Sequence, residues 1–227
     1  MNNHQKYLST CLLATAALLG GTSSAWAQVS LGAASKFAVL GGTNVTCTSS
    51  SVVGRVGVSP GSAVPYTNTG CAIAGGTPPA TNSAAARART AFLSAYAALQ
   101  STAWSCAPIS GNLAGLDLPP RVYCVDAVAK TGVLTLTGPS DGVWIFLVNG
   151  ALTGTNFKVV MAGGGQPRNV FWAPSRAATL TTSAFKGNIL AGDDAVGSIT
   201  LTGGTLRGRA LAKVAVTLTG ASVRVPQ

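Results

Sequence analysis

One short unit recurs through the second half of this chain: a leucine, a threonine, and then glycine or a second threonine. It occurs as Leu136-Thr137-Gly138, Leu152-Thr153-Gly154, Leu180-Thr181-Thr182, Leu201-Thr202-Gly203 and Leu218-Thr219-Gly220. Successive leucines are 16, 28, 21 and 17 residues apart, so the repeat is not strict. A recurring strand-and-turn unit with uneven spacing predicts a β-solenoid whose coils differ in length.

The residues around each leucine indicate which side of the strand faces inward. In three units the leucine stands between two threonines, as in Thr135-Leu136-Thr137, Thr200-Leu201-Thr202 and Thr217-Leu218-Thr219. Side chains alternate along a strand, so the leucines should face the core and the threonines the solvent. Stacked coils would then form a threonine grid, about 4.8 Å between strands and about 6.7 Å along each strand. The alternative is that threonine, a good strand former, merely covers a solvated face.

Outside these units the chain consists of short strand-like segments and one helix. The segments are rich in Val, Ile, Thr and aromatic residues and are separated by Gly, Asn and Pro, as in an all-β protein. They are Phe37–Leu40, Val122–Val125, Val133–Thr137, Val143–Val148, Lys158–Met161, Asn169–Ala173, Asn188–Ala191, Ser198–Leu201 and Ala215–Leu218.

The single helix is predicted at about 83–101. Asn82 or Ser83 can cap it, and residues 84–100 contain neither Gly nor Pro. Its apolar side chains form one stripe at helical spacing, and the small residues among them predict close packing against a flat surface. The stripe consists of Ala85, Ala88, Phe92, Tyr96 and Leu99.

The start of the chain has the pattern of a secretory signal peptide. An apolar run from Leu8 to Leu19 precedes the A-x-A cleavage site at residues 25–27, so residues 1–27 are predicted to be removed. Residues 28–227 then form one exported domain. No later run is long enough to span a bilayer, so no membrane association is expected. We expect a secreted protein, and a monomer.

The exported chain has few side chains that could act as catalytic groups or metal ligands. The sequence has five Asp and no Glu, and its one histidine, His4, lies in the leader. A His-dependent catalytic triad and a His-ligated metal site are therefore excluded. The sole acidic pair, Asp193-Asp194, lacks the clustered carboxylates of a glycosidase or a Ca²⁺ site. We expect no enzyme activity, no metal and no cofactor.

Charge and aromatic residues add two further expectations. The net charge of +10 becomes +9 when Lys6 is removed with the leader. The basic residues are scattered without an aromatic platform, so nucleic-acid binding is not expected. Three tryptophans (Trp104, Trp144 and Trp172) are interpreted as core or helix-packing residues.

Cysteine usage fits an exported protein. Four cysteines remain after the leader, with no C-x-x-C pair, which favours two disulfides over a metal site. Three connectivities are possible. Proximity in sequence favours pairing Cys47 with Cys71 and Cys106 with Cys124.

Eight segments, distributed in order along the exported chain, resemble the ice-binding-like family, also called DUF3494. They are Leu31–Thr43, Gly57–Gly61, Gly111–Leu116, Pro120–Tyr123, Val143–Phe146, Asn169–Trp172, Phe185–Ala191 and Gly208–Ala212. The resemblance implies an irregular right-handed β-solenoid of triangular section, with one long helix packed along its side. It also implies that coils assemble out of sequence order, the N-terminal segment packing beside C-terminal strands.

The resemblance further implies adsorption to ice, slowed ice growth and inhibition of recrystallisation. Some family members use a Thr-(Ala/Gly)-x-(Thr/Asn) motif, which residues 153–156 and 202–205 match, and residues 137–140 and 219–222 match in part. Threonine suits this role because its methyl orders water and its hydroxyl can anchor it. The candidate ice-binding residues are Thr135, Thr137, Thr153, Thr155, Asn156, Thr181, Thr200, Thr202, Thr205, Thr217 and Thr219.

A different class of function stays open at this point. Solenoids are stiff, and the same chain could be an extracellular structural or adhesive module that has no activity toward ice. Its threonine face would then be a solvated strand surface.

Overall fold

The computed structural model of this protein describes residues 29–60, 65–76, 83–193 and 195–226. The predicted signal peptide, the predicted cap Asn82 and Asp194 lie outside the described residues. The described chain is dominated by β-strands and has one α-helix, as predicted. None of its helices is both long and apolar enough to cross a bilayer.

The strands are short, and glycines or polar residues separate many of them. The strands are β1 (Phe37–Gly41), β2 (Asn44–Thr48), β3 (Ser51–Val53), β4 (Arg55–Val58), β5 (Tyr66–Thr69), β6 (Ala72–Ala74), β7 (Ala107–Ile109), β8 (Asp117–Leu118), β9 (Val122–Asp126), β10 (Lys130–Thr137), β11 (Trp144–Asn149), β12 (Leu152–Ala162), β13 (Val170–Pro174), β14 (Ala178–Thr181), β15 (Ala184–Ala191), β16 (Ile199–Thr202), β17 (Thr205–Ala212), β18 (Ala215–Thr219) and β19 (Ser222–Arg224). All nine segments predicted from the sequence coincide with these strands, although Val143, Asn169 and Ser198 each lie one residue before the strand.

All strand pairs are parallel, and their registers define three sheets around one core. The threonine sheet stacks β12 (152–155), β14, β16, β18, β2 and β5 in that order. The basic sheet stacks β8, β10, β12 (157–162), β15 (184–187), β17 (205–208), β19, β3 and β6. The helix sheet stacks β7, β9, β11, β13, β15 (188–191), β17 (209–212), β1 and β4. The β-solenoid with one helix is confirmed.

The coils do not follow the order of the chain. Strand β2 pairs with β18, β3 with β19 and β1 with β17, so the N-terminal segment adds to the last coils. The out-of-order assembly implied by the family resemblance is confirmed.

The helix α1 (Ser83–Gln100) lies against the helix sheet. Four of the five residues in its predicted apolar stripe are buried, together with Ala95. Tyr96 is only half-buried, and its hydroxyl donates a hydrogen bond to the Pro174 carbonyl at 3.2 Å. The small alanines let the helix approach the sheet closely, as predicted.

Aromatic side chains stack through the core between the sheets. The rings of Tyr123 and Phe146 lie 5.4 Å apart, and those of Phe146 and Trp172 lie 3.9 Å apart. Trp144 and Trp172 are fully buried, which confirms them as core residues. The interpretation of Trp104 is wrong. Its side chain is 89% exposed, in a 3₁₀ turn that follows the helix and has no buried residue.

Candidate functional site

The threonine sheet carries two parallel columns of threonine on its outer face. Strand registers place one threonine of each column on each of six neighbouring strands. The first column is Thr153, Thr179, Thr200, Thr217, Thr46 and Thr67, and the second is Thr155, Thr181, Thr202, Thr219, Thr48 and Thr69. We call these twelve residues the threonine array. Five inter-strand steps of about 4.8 Å make it about 24 Å long.

The alternation of each strand explains why the threonines face outward. The position between the two columns is Leu180, Leu201, Leu218 and Cys47 on four successive strands, and all four side chains are buried. With these apolar side chains in the core, the pleat directs both flanking threonines to solvent. Every threonine of the array is exposed or half-buried.

The array offers hydroxyl and methyl groups and no charge. The six strand segments that form it contain no Asp, Lys or Arg. Among the described residues, the threonine hydroxyls that form internal hydrogen bonds lie outside the array, at Thr43, Thr90, Thr102, Thr131 and Thr182. The twelve array hydroxyls are therefore left to bind water.

A sharp corner follows the second column on each strand. The residue at the corner has a left-handed backbone on all six strands, with φ between 46° and 75°. Glycine adopts this conformation freely, and asparagine is the non-glycine residue that tolerates it best. The corner residues are Asn156, Thr182, Gly203, Gly220, Ser49 and Gly70. The Gly of the recurring triplet thus turns the chain out of the threonine sheet at residues 203 and 220.

The structure brings seven of the eleven candidate residues together in the array. They are Thr153, Thr155, Thr181, Thr200, Thr202, Thr217 and Thr219. Asn156 lies at the corner beside them, where its side-chain oxygen accepts a hydrogen bond from the Thr182 hydroxyl at 2.7 Å.

The other three candidates lie on a different face. Thr135 pairs with Asp117 and Val160 in the basic sheet, and Thr137 follows it on the same strand. Thr205 lies in the basic sheet between Ala184 and Ser222. The two full matches to the Thr-(Ala/Gly)-x-(Thr/Asn) motif, at residues 153–156 and 202–205, also start at different places in the sheet. Thr153 belongs to the first column, whereas Thr202 belongs to the second.

Sequence reasoning missed five array residues: Thr46, Thr48, Thr67, Thr69 and Thr179. Between their two threonines, strands β2 and β5 have cysteine and asparagine where β14, β16 and β18 have leucine, so their pattern lacks the Leu-Thr unit. The signal that could have identified them is the bare Thr-x-Thr spacing. It occurs at 46–48, 67–69 and 179–181 as it does at 200–202 and 217–219.

The two cysteine pairs favoured by proximity lie at bonding distance, with Cα–Cα separations of 6.1 Å for Cys47–Cys71 and 5.3 Å for Cys106–Cys124. Cys47 is on β2, and Cys71 follows β5 by two residues. The first bridge therefore fastens the last strand of the array, β5, to its neighbour.

Other kinds of site find little support in the described part of the chain. It holds no group of three or more His, Cys, Asp or Glu side chains close enough to share a metal ion. Its one ion pair joins the buried ammonium of Lys130 to Asp126 at 2.9 Å, at the end of the solenoid beyond β12. The threonine array is the feature that calls for a function.

Comparison with known proteins gives a consistent result. A family model described as "Ice-binding-like" matches residues 39–224. An ice-binding protein of Flavobacterium frigoris is 33% identical over 215 residues, which cover 88% of this chain and 77% of that protein. An ice-binding protein of a Nostoc species is 38% identical over 190 residues, covering 81% of this chain and 68% of that one.

Solved structures agree with the sequence comparisons. The ice-binding protein of the Antarctic ascomycete Antarctomyces psychrotrophicus superimposes with a TM-score of 0.72 at 29% identity, covering 87% of this chain and 98% of that one. An ice-binding protein from an Antarctic biological consortium gives a TM-score of 0.71 at 29% identity, covering 99% of this chain and 97% of that one. Both neighbours have this fold over nearly their whole length.

Proposed function

This chain belongs to the Ice-binding-like family, and from that premise we propose that it adsorbs to ice through the threonine array. Adsorption there slows the growth of ice and inhibits its recrystallisation. One observation carries the choice of surface: twelve threonines stand in register on six neighbouring strands, with no charged residue among them. No catalytic group is needed for this activity.

The chemistry of the array suits ordered water. Each threonine presents a methyl group, which water can only surround, beside a hydroxyl that both donates and accepts hydrogen bonds. Charged side chains would hold hydration shells of their own, and the strand segments of the array contain no charged side chain. Ice-like water can therefore be anchored at regular intervals along both columns.

The fold supplies the rigidity that binding to a solid requires. Ordering flexible side chains on binding would cost conformational entropy. Threonine is β-branched and stiff at χ1, and each array strand between β12 and β5 is paired on both sides. The array is therefore organised before it meets ice.

The test is to produce residues 28–227 with disulfides formed and to measure thermal hysteresis and crystal shape in a nanolitre osmometer. We expect faceted crystals and a gap between the melting and freezing points. Round, unshaped crystals at high concentration of folded protein would contradict ice binding. The extracellular structural or adhesive module would then be the better hypothesis.

Two neighbouring threonines make a matched pair for locating the surface. Thr202 and Thr205 are both exposed, but Thr202 lies in the array and Thr205 faces outward from the basic sheet. Thr202→Tyr places a bulky ring within the array and should lower thermal hysteresis roughly tenfold, as expected for a central contact. Thr205→Tyr should keep the wild-type value. If Thr205→Tyr lost activity and Thr202→Tyr kept it, the basic sheet would be the binding surface.

We further propose that the protein is exported by its N-terminal leader and acts as a monomer. The predicted cleavage site after Ala27 and the two bonded cysteine pairs support export. Mass spectrometry of protein from the culture medium and light scattering of the purified protein test these two points.

A further inference from the structure

The outer face of the basic sheet carries four cations on four consecutive strands. They are Lys158 on β12, Lys186 on β15, Arg207 on β17 and Arg224 on β19. The registers align Lys186 with Arg207 and Arg207 with Arg224, and place Lys158 one strand before them, opposite Ala184. We call these four residues the basic column. Three inter-strand steps make it about 14 Å long.

The basic column has no anionic partner among the described residues. The salt bridge found there joins Lys130 to Asp126, outside the column. The closest acid along the face is Asp117, which lies on β8, beyond Thr135 and Val160. It is about 12 Å from Lys158, the nearest member of the column, which exceeds the Debye length of about 8 Å at physiological salt. The four charges are therefore not neutralised within this face.

This arrangement is electrostatically unfavourable for the protein alone. Like charges directly opposite one another on neighbouring strands destabilise a sheet. The pKa of the half-buried Lys186 ammonium is lowered from its ordinary value, first by burial and then by the charges of Arg207 and Lys158. An anion that spans the column would relieve this repulsion.

We propose that the basic column binds a linear acidic polysaccharide outside the cell. Lys186, Arg207 and Arg224 form a single file of charge, and Lys158 is offset from it by one outward position. The other positions in line with Lys158 are uncharged: Ala184, Thr205, Ser222 and Ser51. A chain with regularly spaced carboxylates or sulfates matches a line of charges better than a planar lipid surface does. No outward position of β15, β17, β19 or β3 is aromatic, so the face lacks the stacking platform of single-strand nucleic-acid binders. Bound there, the protein would keep its adjacent threonine array free.

The experiment measures the affinity of the intact exported chain for sodium alginate by calorimetry at low and physiological salt. Uncharged dextran, a mixed-sequence oligonucleotide, and phosphatidylcholine vesicles containing phosphatidylglycerol are measured alongside. We expect binding to alginate that weakens with salt, and no binding to dextran. Absence of alginate binding would overturn the proposal, as would tighter binding to the oligonucleotide or to the vesicles.

Two double variants with equal net charge separate the column from the overall charge. Arg207→Gln/Arg224→Gln removes half of the column, whereas Arg87→Gln/Arg121→Gln removes two exposed arginines elsewhere. The first variant should lose roughly tenfold in alginate affinity, and the second should stay close to wild type. Equal losses would overturn the proposal, because net charge alone would then explain the binding. Thermal hysteresis should be unchanged in both, so this test is independent of the ice-binding function.

Discussion

At the scale of single residues, the least expected feature is a buried lysine. The side chain of Lys130 is 1% exposed. Its ammonium donates to the Gly111 carbonyl at 2.7 Å, the Asp126 carbonyl at 3.2 Å and the Asp126 carboxylate at 2.9 Å. This network holds the loop before β10, beyond the β12 edge of the threonine sheet. Burying a charge is tolerated only when it is paired and hydrogen-bonded in this way.

This network predicts a loss of stability in acid. The pKa of the Asp126 carboxyl lies below its ordinary value, first because the Gly111 N–H donates to it and then because Lys130 does. A carboxyl with a lowered folded-state pKa stabilises the fold above its unfolded pKa, and this contribution disappears as the pH falls through the folded pKa. Melting temperature should therefore decline below about pH 4 in the wild type. The decline should be shallower in Asp126→Asn.

At neutral pH the same substitution should lower the melting temperature, since Lys130 would lose its anion. Asp117→Asn, at an exposed position, provides the control and should follow the wild-type curve. An Asp126→Asn variant as sensitive to acid as the wild type would contradict this role for the carboxyl.

At the scale of elements, strand β5 is the weakest part of the array. It pairs with β2 on one side, and no strand pair is found on its other side among the described residues. Its central residue, Asn68, supplies no apolar side chain to the core, and its side-chain oxygen accepts a hydrogen bond from the Cys71 N–H at 2.8 Å. The Cys47–Cys71 bridge therefore attaches β5 to β2, because core packing by Asn68 does not.

Removing this bridge should loosen β5 selectively. The cysteines are 24 residues apart, so Cys47→Ala/Cys71→Ala should cost about 3 kcal/mol on the chain-entropy model. Amide exchange at Thr67 and Thr69 should accelerate, and thermal hysteresis should fall in part. The matched control, Cys106→Ala/Cys124→Ala, removes a bridge between cysteines 18 residues apart and should leave amide exchange in β5 unchanged. Equal exchange in the two variants would show that the first bridge does not order the strand.

At the scale of the whole molecule, the packing under the helix and the two surfaces proposed to bind ligands lie on different faces. The helix α1 covers the helix sheet, where Phe92 is fully buried with Phe37, Leu40 and Ile145 in one apolar cluster. The threonine array and the basic column occupy the other two faces. A loss of packing under the helix should therefore weaken the fold without altering the array.

Phe92→Ala tests this separation. Truncating a buried phenylalanine costs about 3–5 kcal/mol. In a domain of this size the loss corresponds to a fall in melting temperature of about 10 °C. Thermal hysteresis near the freezing point should stay at the wild-type value, because the protein is still folded there. A loss of hysteresis in a folded Phe92→Ala variant would show instead that helix packing sets the geometry of the array.

The chain's local pattern predicted most of the features that depend on near neighbours. Alternation predicted that Leu201 and Leu218 are buried between outward threonines, and the stripe of small and apolar residues predicted the helix. These predictions succeed because the pleat of a strand and the period of a helix act over a few residues. Both cysteine pairs also connect segments that are close in sequence.

Tertiary structure alone decided which strands are neighbours. Thr217 pairs with Thr46, 171 residues away in the chain. This pairing places an N-terminal strand beside a strand of the last coils, and no local pattern in the sequence specifies it. Thr135 and Thr205 have the right residue type but lie on another face, because Thr135 pairs with Val160 in the basic sheet and Thr205 follows the corner at Gly203. The sequence by itself determined that threonines would face outward, whereas the stacking of coils, with β2 and β5 added out of order, decided which of them form one surface.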